Sequence, residues 1–476
     1  MRFLLPVLQL RTILNEPTLG EMEDSLDDLS HNLTEAFEET IKRIQGLPTS
    51  RSRLGMEVLM YLTHAARTVT MDELRDLLSV RPGHTRADVK YRPTEKMIMD
   101  CCQGLTTVDA TTGHVSPCHY SVKEYLLTND QQLFPRAEAI LAVKCLRYTL
   151  LENFRTGPWA NEKAIQSYTC DHAFLPYAAQ FWGSHVKLSE DDDEVQAALG
   201  DFFASTRAMA TANQIRRHST GYRYEYWAPQ ECLGYTALHH VCREGLTSIV
   251  RRLLDAGTLD VNVTTKSGAT PIIHAASNGH VEIVQLLMQR GADPYLCNWY
   301  GNALHCAVEG GRAAVVRELV VGWGMNVRGE AISGCEYLYC TMARDSAEVF
   351  EMLVDLGVEI GTGATRECIR PGHTADSAEL DAFLAACNRG CGKIVKLMIR
   401  RGWIDVNARS AGGRTALHWA AHSHNRAMVE QLVEAGADIN ARDEKGVSAL
   451  DLIRPLYRSL GMEFVSRSTP GKDASG

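Results

Sequence analysis

The sequence predicts a mainly α-helical chain in three parts: three helices and a hairpin, a helical connector, and a solenoid of stacked helical repeats. Three observations predict it. Openings related to Gly-x-Thr-Ala-Leu-His, complete at Gly234 and Gly413 and altered in the copies between, recur about every 33 residues from Gly234 onward. Residues 54–130 carry three helical patterns and then two short β-prone runs around a turn. Between 131 and 233 apolar residues recur at helical spacing.

The chain has 476 residues, enough for two to four domains. Its net charge of −9 argues against a general nucleic-acid binder, which needs a basic face. The fourteen cysteines are scattered without a CxxC pair, as in reduced cytosolic cores. Cys101-Cys102 and Cys118-His119 come nearest to a metal cluster, and no metal or other cofactor is expected. The expected location is the cytoplasm, with the nucleus as the alternative.

Residues 1–50 read as N-terminal helices. Phe3–Leu10 has the apolar character of a signal peptide, but it is short, broken by Pro6 and followed by no small-residue cleavage site. A helix packed on its own domain is expected, and no stretch is long and apolar enough to span a membrane. Residues 21–45 form an amphipathic helix, with Leu26, Leu29, Leu33, Phe37, Ile41 and Ile44 on one face.

Residues 54–130 follow. Leu54–Ala66 is an apolar helix. Thr70-Met-Asp-Glu73 is a capping box that opens a second helix through Leu78, and Arg81-Pro-Gly-His84 breaks it. Pro93–Cys102 is the third helix. Leu105–Asp109 and His114–His119 flank Ala-Thr-Thr-Gly113 as a hairpin, and Ser121-Val-Lys-Glu124 reads as another capping box. Three helices and a hairpin make a winged-helix order. Around the third helix the only cations are Lys90, Arg92 and Lys96, beside Glu95 and Asp100. Phosphate binding needs several unopposed cations, so a packing role is expected instead of DNA reading.

The connector, 131–233, carries Ile140, Leu141, Val143, Leu146 and Leu150 on one helix and an aromatic-rich buried helix at Phe174–Trp182. Glu190–Glu194 is a solvated loop or the acidic first turn of the next helix. Arg216-Arg-His218 and Tyr222–Trp227 are expected to cover the start of the repeats.

The repeats occupy 234–460. Gly413-Arg-Thr-Ala-Leu-His-Trp-Ala-Ala421 and the stretch to Asn440 read as two short antiparallel helices closed by a turn. Thr415 caps the first, and Met428, Val429, Leu432 and Val433 form the apolar stripe of the second. Copies open at 234, 268, 301, 334, 379, 413 and 446, at steps of 34, 33, 33, 45, 34 and 33 residues. A unit this small cannot bury its apolar face alone, so the copies must stack. The period, the Thr-Ala-Leu-His openings and the closing Gly-Ala-Asp resemble the ankyrin-repeat family closely, which implies an L-shaped repeat of turn, helix, helix. The long step holds an insertion near 361–376, the last copy is a truncated cap, and 461–476 is expected to be a disordered tail.

A second resemblance lies in the N-terminal half. Leu59-Met-Tyr-Leu-Thr-His64, Thr70–Leu74, Cys101–Leu105 and His119–Tyr125 look like the winged-helix segment of fungal-type NACHT–ankyrin proteins. Phe3–Leu10 looks like the helix that closes their nucleotide-binding core, and Pro176–His185 like the connector before their repeats. The chain starts where that core would end, and no Gly-x-x-x-x-Gly-Lys-Ser/Thr loop occurs to cradle phosphates. Either the gene is truncated at its start or this is a relative without the core; the family's NTPase activity does not carry over, and no nucleotide is expected to bind.

No catalytic residues are expected. His239, His305 and His418 hold the motif position, where the imidazole orders the turn, and they sit in separate repeats. Function is then expected from the concave face, through turn tips and first helices. The ankyrin pattern places partner contacts at Thr265, Lys266, Ser277, Asn278, Trp299, Tyr300, Glu309, Arg409, Arg414, His422, Ser423, Glu444 and Lys445. Trp299 and Tyr300 stand out, because exposed aromatics on a turn add nothing to stability unless they pack on the neighbouring tip, whereas interfaces favour them. The reading is a non-catalytic scaffold for a protein partner. The alternative is the sensing half of a NACHT-type switch, and a protein partner of unknown identity serves either.

Overall fold

The computed structural model describes residue 18 and residues 34–81, 83, 85–154, 157–221, 227–257, 259–327, 337–358, 378–410 and 412–459. The expected helices at Phe3–Leu10 and 21–33, the cover at Tyr222–Tyr226, the insertion near 361–376 and the tail 461–476 lie outside these residues. The chain forms two units, 1–237 and 238–476.

In the first unit, helix α1 (34–45) buries Ile41 and Ile44. Helix α2 (Thr49–His64) lies at the centre of the winged helix, against α3 (Met71–Ser79), α4 (Glu95–Cys101), α5 (Tyr120–Thr128) and strand β3 (His114–Pro117). Gly55 of α2 is required by this packing, since a Cβ there would stand 2.6 Å from the Cys101 carbonyl oxygen. Strand β1 (Val69–Thr70), which the sequence reading missed, pairs antiparallel with β3, and β3 pairs with β2 (Thr106–Val108), giving the order β1-β3-β2. The Thr70–Glu73 capping box forms: Thr70 Oγ1 accepts from the Glu73 amide and Glu73 Oε2 from the Thr70 amide. The second expected box does not. Helix α5 begins one residue before Ser121, and the cap is His119, whose Nδ1 accepts from the Ser121 amide.

Helix α6 (Asp130–Leu133) leads to the connector. There α7 (Ala137–Thr149) packs on α9 (Leu175–Lys187), with α10 (Asp193–Ala204) and α11 (Thr206–Ser219) against them. The core is aromatic: Phe174, Tyr177 and Trp182 are fully buried, as the sequence pattern predicts, and Phe202 of α10 joins them. Of the expected α7 stripe, Ile140 and Leu150 are only half-buried. Asp192 caps α10 by accepting from the Glu194 and Val195 amides, so Asp193 and Glu194 form the acidic first turn while Glu190 and Asp191 lie in the turn before it. Short helices α8 (Glu162–Asp171) and α12 (Pro229–Cys232) complete the unit.

Two polar constellations join the winged helix to the connector. The carboxylate of Asp76 on α3 is buried and pairs with Arg92 Nε. It also accepts from Tyr148 Oη of α7 at 3.0 Å and from the Phe174 amide at 3.4 Å. Burial pushes the Asp76 carboxyl up against the opposing pull of Arg92. The second constellation is a chain. His64 at the end of α2 donates from Nε2 to Asp130 at 2.7 Å and from Nδ1 to Glu138 at 3.1 Å. The other Glu138 oxygen lies 2.7 Å from His185 Nδ1, whose Nε2 lies 2.9 Å from Tyr177 Oη. That hydroxyl oxygen accepts from the Ala66 amide at 2.9 Å.

The second unit is a stack of helix pairs. First helices are α13 (Ala237–Glu244), α15 (Pro271–Asn278), α17 (Ala303–Glu309), α19 (Tyr337–Thr341), α21 (Ala378–Arg389), α23 (Ala416–His422) and α25 (Ala449–Ser459). Second helices are α14 (Thr247–Asp255), α16 (Val281–Gln289), α18 (Ala313–Arg317, running into a π-turn at Glu318–Gly322), α20 (Ala347–Asp355), α22 (Gly392–Arg400) and α24 (Arg426–Glu434). The second helices pack in an unbroken row from α14 to α24. Asp345 receives the Lys393 and Ile394 amides at 2.8 and 3.0 Å, so the row continues past the long step instead of breaking there.

One asparagine explains the Gly-Ala-Asp repeat ending. Asn262 Nδ2 donates to the Gly291 carbonyl, and its Oδ1 accepts from the Asp293 amide; Asn407 does the same to Gly436 and Asp438. Each clasp ties one tip to the repeat after it. The motif histidines act similarly. His418 Nδ1 accepts from the Thr415 amide at 3.1 Å, which leaves Nε2–H to donate to the Val447 carbonyl at 3.2 Å. His239 Nε2 reaches the Ala269 carbonyl at 3.1 Å, and burial pulls its pKa down to about 4. His305 departs from the pattern: its Nε2 lies 3.8 Å from Cys340 Sγ.

Candidate functional site: the turn tips of the repeat array

A tip is the turn that leads from one second helix to the next first helix. Its backbone is fixed by local bonds. At the tip between α16 and α17, Asn298 and Gly301 exchange backbone hydrogen bonds of 3.1 and 3.2 Å, and Asn298 Oδ1 accepts from the Tyr300 and Gly301 amides. Tips also sit close together. Gly268 adopts φ +81°, and a Cβ there would meet the Cys297 carbonyl oxygen at 2.5 Å.

This scaffold presents Trp299 at 61 % exposure and Tyr300 at 38 %. Tyr295, on the same loop, is 58 % exposed. The sequence reading missed Tyr295, although the repeat alignment signals it. Tyr295 lies 33 residues after the clasping Asn262, at the position where the later copies carry Asn407 and Asn440. A residue with a bridging role in sister repeats has been exchanged for an exposed aromatic ring.

The other expected positions divide. Lys266, Arg409, His422, Glu444 and Lys445 are exposed. Ser277, Asn278, Glu309, Arg414 and Ser423 are half-buried, and several serve the fold. Asn278 Nδ2 donates to the His274 carbonyl, Ser423 Oγ to the Ala420 carbonyl, and Arg414 Nε pairs with Asp443 at 3.3 Å. The Ser277 carbonyl accepts from Arg312 Nε. Thr265 is buried, and its hydroxyl accepts from the Ala269 amide while meeting Ser267 Oγ, so it orders the turn and presents no surface.

The cations near the winged-helix reader are also placed. Arg92 is held by Asp76 and the Asp171 carbonyl, and Lys90 pairs with Asp88 at 2.9 Å. Of the nearest metal-type pairs, Cys101 and Cys102 are buried, with burial pushing the Cys102 thiol up to about 12, and Cys118 is exposed. Among the described residues, no helix is long and apolar enough to cross a membrane.

A family model described as ankyrin repeats (3 copies) matches residues 222–298 and 366–443. A second, described as the winged helix domain of GPI inositol-deacylase, matches residues 43–138. The azaphilone pigments biosynthesis cluster protein L of Monascus ruber is 27% identical over 303 residues, 57% of this chain and 62% of that protein. The ankyrin repeat domain-containing protein SAT10 of Stachybotrys chartarum is 26% identical over 278 residues, 57% of this chain and 13% of that protein. The chain thus spans less than two thirds of the length of either relative. The crystal structure of the human ASB11 ankyrin repeat domain aligns with TM-score 0.37 and 24% identity, covering 46% of this chain and 93% of that one. The chain carries ankyrin repeats in its C-terminal half, behind a winged-helix domain similar to that of GPI inositol-deacylase.

Proposed function

We propose that this chain is a non-catalytic scaffold that binds a protein partner along the tips and concave face of its ankyrin array, in the cytoplasm. The observation that carries the reading is Trp299. It is a large apolar side chain, 61 % exposed, on a turn made rigid by Asn298. A rigid aromatic loses little freedom on binding, and interfaces concentrate their energy in such residues. Lys266 and Glu309 belong to the same proposed face, with Ser277, Asn278 and Tyr300 beside them.

The test places a photo-crosslinking amino acid at 299 in the full chain, and separately at Arg251 on α14, in the source cells. The expected result is one protein captured from 299 and not from 251, with capture abolished by Tyr295→Ala. Trp299→Ala itself should leave the unfolding free energy within about 0.5 kcal/mol of the parent. Equal capture from both positions would sink the reading.

The winged-helix match favours a second reading, the sensing half of a NACHT-type switch. Titration with labelled ATP and ADP in magnesium separates the two. No binding is expected, since the sequence holds no phosphate-cradling loop. Saturable micromolar binding would replace the scaffold reading with the switch.

A further inference from the structure

The last two tips differ from the rest of this acidic chain. Arg409 and Arg442, 33 residues apart, occupy the same place in consecutive repeats, and both are exposed. Arg409 Nη1 donates to the Arg442 carbonyl at 3.0 Å, so the first guanidinium rests on the second tip. Arg442 Nη1 donates to the Gly446 carbonyl at 2.7 Å. Lys445 is exposed beside them. Among the described residues none of these three cations forms an ion pair.

The neighbouring carboxylates are mostly engaged. Asp443 is buried, accepts from the Lys445 and Val447 amides at 3.0 Å each, and pairs with Arg414. Asp451 accepts from Ser448 Oγ at 2.7 Å. Asp438 and Glu444 are the exposed carboxylates of the last tip, and Asp438 Oδ1 accepts from the Asn440 amide at 2.9 Å. Backbone carbonyls thus hold two guanidinium groups in place, with most of their N–H donors unused. A guanidinium ordered in advance meets a carboxylate in bidentate fashion at low entropic cost.

We propose that the last two tips dock a short acidic segment of the partner protein, its carboxylates lying on Arg409 and Arg442 with Lys445 at the edge. The proposal rests on the reading of the tips as the partner face and adds the chemistry of the partner. A long polyanion fits less well, because Glu444 and the chain's net charge of −9 repel any part that runs beyond the tips.

The test uses the full chain and fluorescein-labelled hexaglutamate, read by fluorescence anisotropy at low salt. Saturable binding is expected, weakening as salt screens the contact. Arg409→Glu combined with Arg442→Glu should weaken it about tenfold or more. Lys445→Glu, which disturbs no carbonyl bond, should weaken it less. Lys396→Glu with Arg400→Glu, on α22, should leave it unchanged. Circular dichroism and the unfolding midpoint confirm that each variant is folded. Unchanged affinity in the arginine variant, with cross-linking at 299 intact, overturns the basic-tip assignment alone. Hexalysine binding as well as hexaglutamate, or a single-stranded DNA oligonucleotide binding more tightly, overturns it too. Absence of both hexaglutamate binding and cross-linking at 299 in the parent chain overturns the reading of the tips as a partner face.

Discussion

Asp76→Ala is expected to destabilise the N-terminal unit by about 3–5 kcal/mol. The carboxylate is buried and meets Arg92, the Tyr148 hydroxyl and the Phe174 amide. Such a pair gains little over a well-packed apolar substitute, because both charges must lose water first; burial accordingly raises the Asp76 pKa. Removing one member is different. It strands the Arg92 guanidinium, 22% exposed, and leaves a buried tyrosine hydroxyl and amide without their acceptor. Urea unfolding, followed by the signal of the buried Trp182, reports the change. The double variant Asp76→Leu, Arg92→Met should recover most of the loss. A single-variant cost below about 1 kcal/mol would show that the constellation does not hold the winged helix to the connector.

That clamp also shows where sequence reading stops. The repeats were legible because their evidence is periodic: the openings recur at 33 or 34 residues outside the inserted step, and the Gly-Ala-Asp ending reflects a clasp that Asn262 and Asn407 make in the same way. The Thr70–Glu73 box was legible because its two partners lie three residues apart. Ser121–Glu124 has the same spacing and forms no box, because the chain leaves β3 so that His119, two residues earlier, reaches the first free amide. Strand β1 is only two residues long and exists through its pairing with His114 and Val115, far along the chain. Nothing local in Asp76 points to Tyr148 or Phe174. At the tips, the aromatic pair at 299 and 300 was visible as a departure from consensus. Burial of Thr265 follows from its own turn geometry, and Tyr295 and Arg442 needed a column-by-column comparison of the copies.

Glu138 is the second residue whose loss should be costly, and its effect depends on pH. Burial pushes its carboxyl up, but the hydrogen bonds and charges of His185 and His64 outweigh that and hold the pKa at about 2. A carboxyl lowered on folding stabilises the native state above its unfolded pKa of about 4.5, here by roughly 3 kcal/mol, and loses that contribution as pH falls towards 2. His64 has the opposite sign. Its bond to Glu138 raises its pKa, against burial, with help from Asp130. The imidazolium therefore stabilises fully below the unfolded value of about 6.5, and that contribution fades as pH rises through the raised value. The two windows overlap between about pH 4.5 and 6.5, where the constellation should contribute most. Glu138→Gln should flatten the acid limb of the stability profile and move the His64 titration, followed by its ring proton resonance, to lower pH. Unfolding midpoints at pH 3.5, 5.5 and 8, compared between parent and variant, test the sign of each limb. A variant that lost the same stability at all three values would show a packing role for Glu138 with no charge linkage. A parent profile without an acid limb would show that the His64–Glu138–His185 chain contributes no charge-linked stability.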